Sequence, residues 1–271
     1  MTAVYISVDM EGVAGVADPR QVRRGNPDYE WARLLMTREA SAAVAGAVAA
    51  GATAVLVNDA HGDNGNILPA ELDPRAELFT GSPKPGGGMM KGVDEGFDVA
   101  LLIGYHSRAG TLHGNLDHIV AGGAFADVRV NGESWSEGDL NCAIAGQFGV
   151  PVTLFTGDDI ACAQFAGTHP GVSTVVTKRA YGNTTVRSLH PSVACERIEA
   201  AAAAAVRRLE PFRPTPPFRL EVDLLRTAQA DRCALAPGSD RVSARTVGLS
   251  CVDAMAVRDA LSCFSLLAGQ Q

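Results

Sequence analysis

The sequence predicts an α/β protein, a mostly parallel sheet with flanking helices followed by a smaller C-terminal α/β portion. Three short apolar runs, Ala3 to Val8, Ala52 to Val57 and Asp98 to Gly104, lead into ionisable residues at the same end: Asp9, Asp59 with His61, and His106. Between the first two, Tyr29 to Ala50 carries Ala, Leu, Met and Val at helical spacing and stops at Gly51, a residue that tolerates the left-handed conformation closing a helix. Strand, helix, strand in this order is a βαβ crossover. Parallel strands joined this way bring their carboxyl ends to one sheet edge, where open α/β sheets bind ligands.

Further along, Ala126 to Val130 predicts a strand that continues the sheet, Glu137 to Gly149 a helix and Val152 to Phe155 another strand. Ser192 to Leu209 is predicted as a helix because its run Ala200 to Ala205 loses no side-chain entropy on becoming helical. Pro211, Pro214, Pro216 and Pro217 break that helix before Phe218 to Leu224, an alternating strand. The expected division is therefore an α/β unit over 1–190 that carries the site, and a helix-strand portion over 191–271 that forms a second domain or completes the first. Gly86-Gly87-Gly88 lacks the Lys-Ser/Thr of a phosphate cradle and reads as a flexible loop.

Composition narrows the function. With 271 residues, 46% hydrophobic and 20% charged, the chain is an ordinary globular one, large enough to bury a deep site. A net charge of -7 disfavours nucleic acid, which demands a concentrated excess of Lys and Arg. The N-terminus has no basic segment before an apolar core, no stretch reaches the ~18 residues of a spanning helix, and six cysteines lack CxxC spacing. These features predict a cytoplasmic chain with reduced thiols and no membrane partner.

The chemistry lies at the strand ends. Asp9 and Glu11 stand two residues apart, so on an extended backbone both carboxylates face the same side. A polar turn in which Asp9 caps backbone N–H groups satisfies the same spacing. His61 and His106 fall at the same edge, and imidazole with carboxylate makes a donor set suited to Zn²⁺ or neighbouring divalent ions. Two carboxylates about 4 Å apart repel by roughly 4 kcal/mol at an effective dielectric near 20, and a divalent cation removes that conflict. A third carboxylate calls for a second cation, and a metal pair activates water at neutral pH without Ser or Cys.

Taken together, Ser7-Val8-Asp9-Met10-Glu11-Gly12, Val57-Asn58-Asp59-Ala60-His61, Gly104-Tyr105-His106, Asn131-Gly132 with Glu137-Gly138, Leu140-Asn141 and Gly157-Asp158-Asp159 resemble the zinc-dependent D-aminopeptidase family, in the family's order. Tyr29, Arg33, Met36-Thr37 and Lys84-Pro85 also resemble family positions, and the likeness fades beyond about Thr185. The resemblance implies two zinc ions per chain, with Mn²⁺ or Co²⁺ as substitutes, shared by Asp9, Glu11, His61, His106 and Glu137, with Asp9 bridging. It implies a catalytic histidine after the Gly-Tyr-His motif. His118 matches that position best, with His113 a competitor in the same loop, and Glu137 has local rivals in Glu133 and Asp139. It also implies short peptide substrates with a D-residue at the amino end, and a homo-oligomer, a homodecamer enclosing the sites.

Two other functions compete. A dinuclear phosphoesterase or other amidohydrolase would use the same metal clamp, with Arg108 available to an anionic substrate. A noncatalytic binding or scaffold protein would keep the fold alone.

Overall fold

The computed structural model describes residues 2–269, and its centre is a seven-stranded sheet. Its strands are β1 (Ala3–Val8), β2 (Ala54–Asp59), β3 (Glu77–Phe79), β4 (Val99–Tyr105), β7 (Val152–Asp158), β8 (Ser173–Gly182) and β9 (Thr185–Ser188). The order is β3-β2-β1-β4-β7-β8-β9, and every pairing is parallel except the terminal β8–β9 hairpin. The first crossover runs through α1 (Tyr29–Ala49), which ends where Gly51 adopts φ +95°. β2 is displaced by two residues relative to the expected run, so Asn58 and Asp59 lie within the strand and only His61 stands beyond it.

Alternation along the strands divides the core. Val4, Ile6 and Val8 face α1 and α4 (Pro191–Ala205), whereas Tyr5 and Tyr105 face the opposite side with α2 (Glu137–Gln147). That second core continues into another sheet, of order β11-β12-β10-β5-β6, comprising β5 (Phe125–Val130), β6 (Glu133–Ser134), β10 (Phe218–Leu224), β11 (Asp240–Arg241) and β12 (Thr246–Cys251). Its pairings are antiparallel. The remaining helices are α3 (Asp159–Thr168), α5 (Thr227–Cys233) and α6 (Ala254–Gly269).

The expectation that β5 extends the parallel sheet is corrected here. Asn131 and Gly132 both take positive φ, 52° and 85°, and fold β5 back on β6 as a tight hairpin, while the other edge of β5 pairs with β10. Residues 191–271 thus give α4 to the flank of the large sheet and three strands to the small one, whose other two strands precede residue 190. Among the described residues no helix is long and apolar enough to cross a membrane.

Candidate metal centre

Strand order reverses about β1, which pairs with β2 on one side and β4 on the other, so the C-terminal ends of these three strands open a crevice. Asp9 and Glu11 follow β1, His61 follows β2 and His106 follows β4. The chain after β1 passes directly over the end of β4: Asp9 N donates to the Ile103 carbonyl at 2.8 Å and Gly12 N to that of Gly104 at 2.7 Å. A Cβ at Gly12 would lie 2.0 Å from the Tyr105 carbonyl oxygen, and one at Gly104, φ +74°, would lie 2.4 Å from that of Asp9. Both glycines are therefore structural requirements of the crossing.

The other residues of these short motifs form the floor. Ser7 Oγ meets Tyr105 Oη at 2.6 Å and donates to the Met89 carbonyl at 2.7 Å, which also accepts from Asn58 Nδ2 at 2.7 Å; Asn141 Nδ2 donates to Tyr105 Oη at 2.9 Å. Asp59 points away from the crevice and accepts from Asn66 N, Asn66 Nδ2 and Ile67 N, shaping the loop after His61. Tyr29 and Arg33 secure the same loop through Asn66.

Glu137 arrives from the other layer. The β5–β6 hairpin leads into α2, whose N-cap Ser136 and Asp139 form a reciprocal capping box. Asp139 is further engaged by His169 at 2.7 Å, so this rival carboxylate is committed to structure. Glu133 lies in the hairpin, exposed. Glu137 faces the crevice and accepts from Val120 N at 2.7 Å.

The structure brings five sequence-predicted ligands and His118 together in two groups of buried or half-buried donors: Asp9, Glu11 and His61; and His106, His118 and Glu137. Asp9 faces both, with Oδ1 3.1 Å from His61 Nδ1 and Oδ2 3.6 Å from His106 Nε2. Glu11 Oε2 approaches His61 Nδ1 to 3.0 Å, and Glu137 Oε2 lies 3.4 Å from His106 Nε2. His118 stacks on His106 with centroids 4.1 Å apart, and its Nε2 lies 3.8 Å from Glu137 Oε1. His113 is exposed at φ +63° and joins neither group. Arg108 extends toward the Ser134 carbonyl and does not line the cavity.

Each imidazole has one nitrogen against a backbone carbonyl: His61 Nε2 to Val22 at 2.8 Å, His106 Nδ1 to Ser107 at 2.9 Å and His118 Nδ1 to Leu116 at 2.9 Å. If those nitrogens carry the protons, the opposite nitrogens present lone pairs to the carboxylates, an arrangement that a cation resolves. Among the described residues, buried Glu11 Oε2 and His106 Nε2 have no hydrogen-bond partner. The donor set therefore fits zinc.

Charge tells the same story. Burial, reinforced by Glu11, pushes the Asp9 carboxyl up to about 7. Burial also opposes ionisation of Glu137, but His106 and His118 outweigh it and bring that carboxyl down to about 2. His106, opposed by burial, is raised to about 10 chiefly by Glu137. With protons as the only cations, His61 and His106 bind them tightly, and metal binding must displace them.

Asp9, Glu11, His61, His118 and Glu137 line a cavity of about 250 Å³, to which α6 contributes Arg258 and Ser262, neither singled out by sequence pattern. The comparisons with known proteins agree with this architecture. Residues 2–263 match the D-aminopeptidase peptidase family. A D-aminopeptidase of Bacillus subtilis (strain 168) is 36% identical over 240 residues, covering 88% of this chain and 86% of the relative. A solved structure described as "Zn-dependent D-aminopeptidase DppA from Bacillus subtilis, a self-compartmentalizing protease" superposes with a TM-score of 0.95 at 32% identity, covering 100% of this chain and 99% of that one. On the family match and this extent of identity, the chain belongs to the D-aminopeptidase family of hydrolases.

Proposed function

We propose that this D-aminopeptidase would hold two zinc ions, one through Asp9, Glu11 and His61 and the other through His106 and Glu137, with Asp9 standing between the two groups. The observation that carries this reading is the double-faced Asp9, whose two oxygens address His61 and His106 separately. When bound, zinc polarises a scissile carbonyl and lowers the pKa of water. His118 is the proton carrier. Its Leu116 contact turns Nε2 toward the cavity, and with 25% of its side chain exposed it reaches both solvent and the buried donors. From there it takes a proton from the attacking water and returns one to the leaving amine. Stacking on His106 fixes the ring plane, so the transfer distance is set by packing rather than by search.

The natural substrate class is short peptides with a D-residue at the amino end, supported by the family match and by a cavity slightly below the usual 300–1,000 Å³ of ligand pockets. The relative's description as self-compartmentalizing supports a homo-oligomer here, and the family resemblance favours a decamer. Six free cysteines suit the reducing cytoplasm. Against the phosphoesterase alternative stand the family match and Arg108, which faces away from the cavity.

The test combines zinc per chain with hydrolysis of D-Ala-D-Ala, L-Ala-L-Ala and a generic phosphodiester by the zinc-loaded protein. Two zinc ions per chain and preferential cleavage of the D-peptide are expected, and His106→Ala should lose both metal and activity. Phosphodiester cleavage alone, or His106→Ala with unchanged metal content, would overturn the proposal.

A further inference from the structure

Resting on the aminopeptidase reading, the geometry points to Arg258 of α6 as the receptor for the free carboxylate at the far end of a very short peptide, so that the enzyme selects dipeptide acids.

Arg258 is the only arginine or lysine lining the cavity among the described residues, and it shares that cavity with Asp9, Glu11 and Glu137. A fixed cation in the wall of a metal-binding cavity repels the metals the carboxylates gather. Its presence therefore asks for an anion that binds with them. The guanidinium is held without being used up. Its Nη2 approaches the Lys84 carbonyl at 3.4 Å, and Nη1 pairs at 2.7 Å with Asp259, the adjacent residue, whose side chain is 60% exposed. Such a solvent-facing pair is worth little and exchanges readily. The Arg258 side chain itself is 22% exposed.

Gly88 completes the seat. It takes φ +51°, and a Cβ there would lie 2.7–3.0 Å from Nη2, Nε and Cζ of Arg258, so only a glycine lets the guanidinium lie against the backbone. The last glycine of the Gly86-Gly88 run thus has a definite role, although not as a phosphate cradle. Size agrees with the assignment. A sphere of the cavity's volume is roughly 8 Å across, and two extended residues span about 7 Å. A dipeptide therefore fits with its amino end and scissile amide toward the metal ligands and its own carboxylate on Arg258, where a planar fork gives two charge-assisted hydrogen bonds. A longer or amidated peptide brings no charge to that point.

The zinc-loaded full-length protein is assayed on D-Ala-D-Ala and on D-Ala-D-alaninamide, and the ratio of kcat/KM for acid over amide is compared across wild type, Arg258→Gln, Arg258→Lys and Gly88→Ala. The wild-type ratio should be well above one. It should fall about 10- to 100-fold in Arg258→Gln and partly in Gly88→Ala, with Arg258→Lys intermediate. Calorimetry with the non-hydrolysable analogues, CH2–NH replacing the scissile amide, should show the same loss of preference for the acid. A wild-type ratio near one, or a ratio that Arg258→Gln and Gly88→Ala leave in place, overturns the carboxylate assignment while the aminopeptidase stands. A zinc-loaded wild type that cleaves neither peptide overturns both.

Discussion

Substituting Glu39 by Gln should make the protein more stable at alkaline pH and change little in acid. Glu39 lies on the inner face of α1, 1% exposed, with Oε1 accepting from Ala14 N at 2.8 Å and, among the described residues, no partner for Oε2. Burial raises its carboxyl to about 7, despite opposing contributions from the Ala14 N–H and the Lys178 ammonium. The folded value lies above the ordinary 4.5, so the fold favours the protonated form. That contribution is complete below pH 4.5 and is lost as pH rises through about 7. At 1.36 kcal/mol per pH unit the interval amounts to about 3 kcal/mol. Glutamine keeps the acceptor for Ala14 and never ionises, so it escapes the loss. Urea unfolding of the zinc-loaded wild type and variant at fixed protein and zinc concentrations, from pH 5 to 9, isolates the difference from other titrating groups. The two midpoints should nearly coincide at pH 5 and diverge by about 1 M by pH 9 in favour of the variant. A pH-independent difference, or a wild type more stable at pH 9, refutes the reasoning.

Chelation should remove two zinc ions per chain and lower stability. If each site is kept filled at 100 times its Kd, occupancy contributes about 2.7 kcal/mol per site, visible as a fall in Tm that restored zinc reverses. His118→Ala should retain both ions by elemental analysis yet lose roughly 10²- to 10⁴-fold in kcat, the usual range for a positioned proton carrier; loss of one zinc would instead make His118 a ligand. Gly12→Ala should fail to give soluble zinc-loaded protein, because its Cβ would sit 2.0 Å from a strand carbonyl that cannot yield without parting β4 from the loop of Asp9; a folded, metal-replete variant would contradict this geometry.

How much of this was legible in the sequence depends on where each residue stands. Asp9, Glu11, His61 and His106 follow apolar runs that announce parallel strands, and such strands share an edge, so local pattern sufficed to bring them together. Glu137 was accessible only through family resemblance, because it begins a helix that enters from the second layer. The membership of β5 was misread because alternation reveals which face is buried and not which strand lies beside it. The signal that was available, Asn131-Gly132 at a hairpin turn, spoke of a fold-back rather than a crossover. Arg258 was invisible, since a single arginine on an amphipathic helix near the C-terminus looks like any solvent-facing charge until tertiary packing turns it into a cavity wall.

The placement of the buried cations explains why so acidic a centre can fold. Lys178, 1% exposed, donates to the carbonyls of Glu11, Val13 and Val16, the turn that carries the first two carboxylates. Lys84, 4% exposed, donates to Asn58 Oδ1 and to the carbonyls of Asp59 and Phe79, at the strand end that delivers His61. Burial brings each ammonium down to about 8, a cost borne without a direct carboxylate partner. Neither lysine lines the cavity. Both act from behind, fixing the backbone that aims the ligands while leaving the carboxylates in front free of any lysine. Had either ammonium reached into the crevice, it would have satisfied the carboxylates and competed with metal. The division of labour follows from reach: lysines on the far side stabilise the acidic loops, the front is left to divalent ions, and a cation on that front, Arg258, is placed to meet substrate instead.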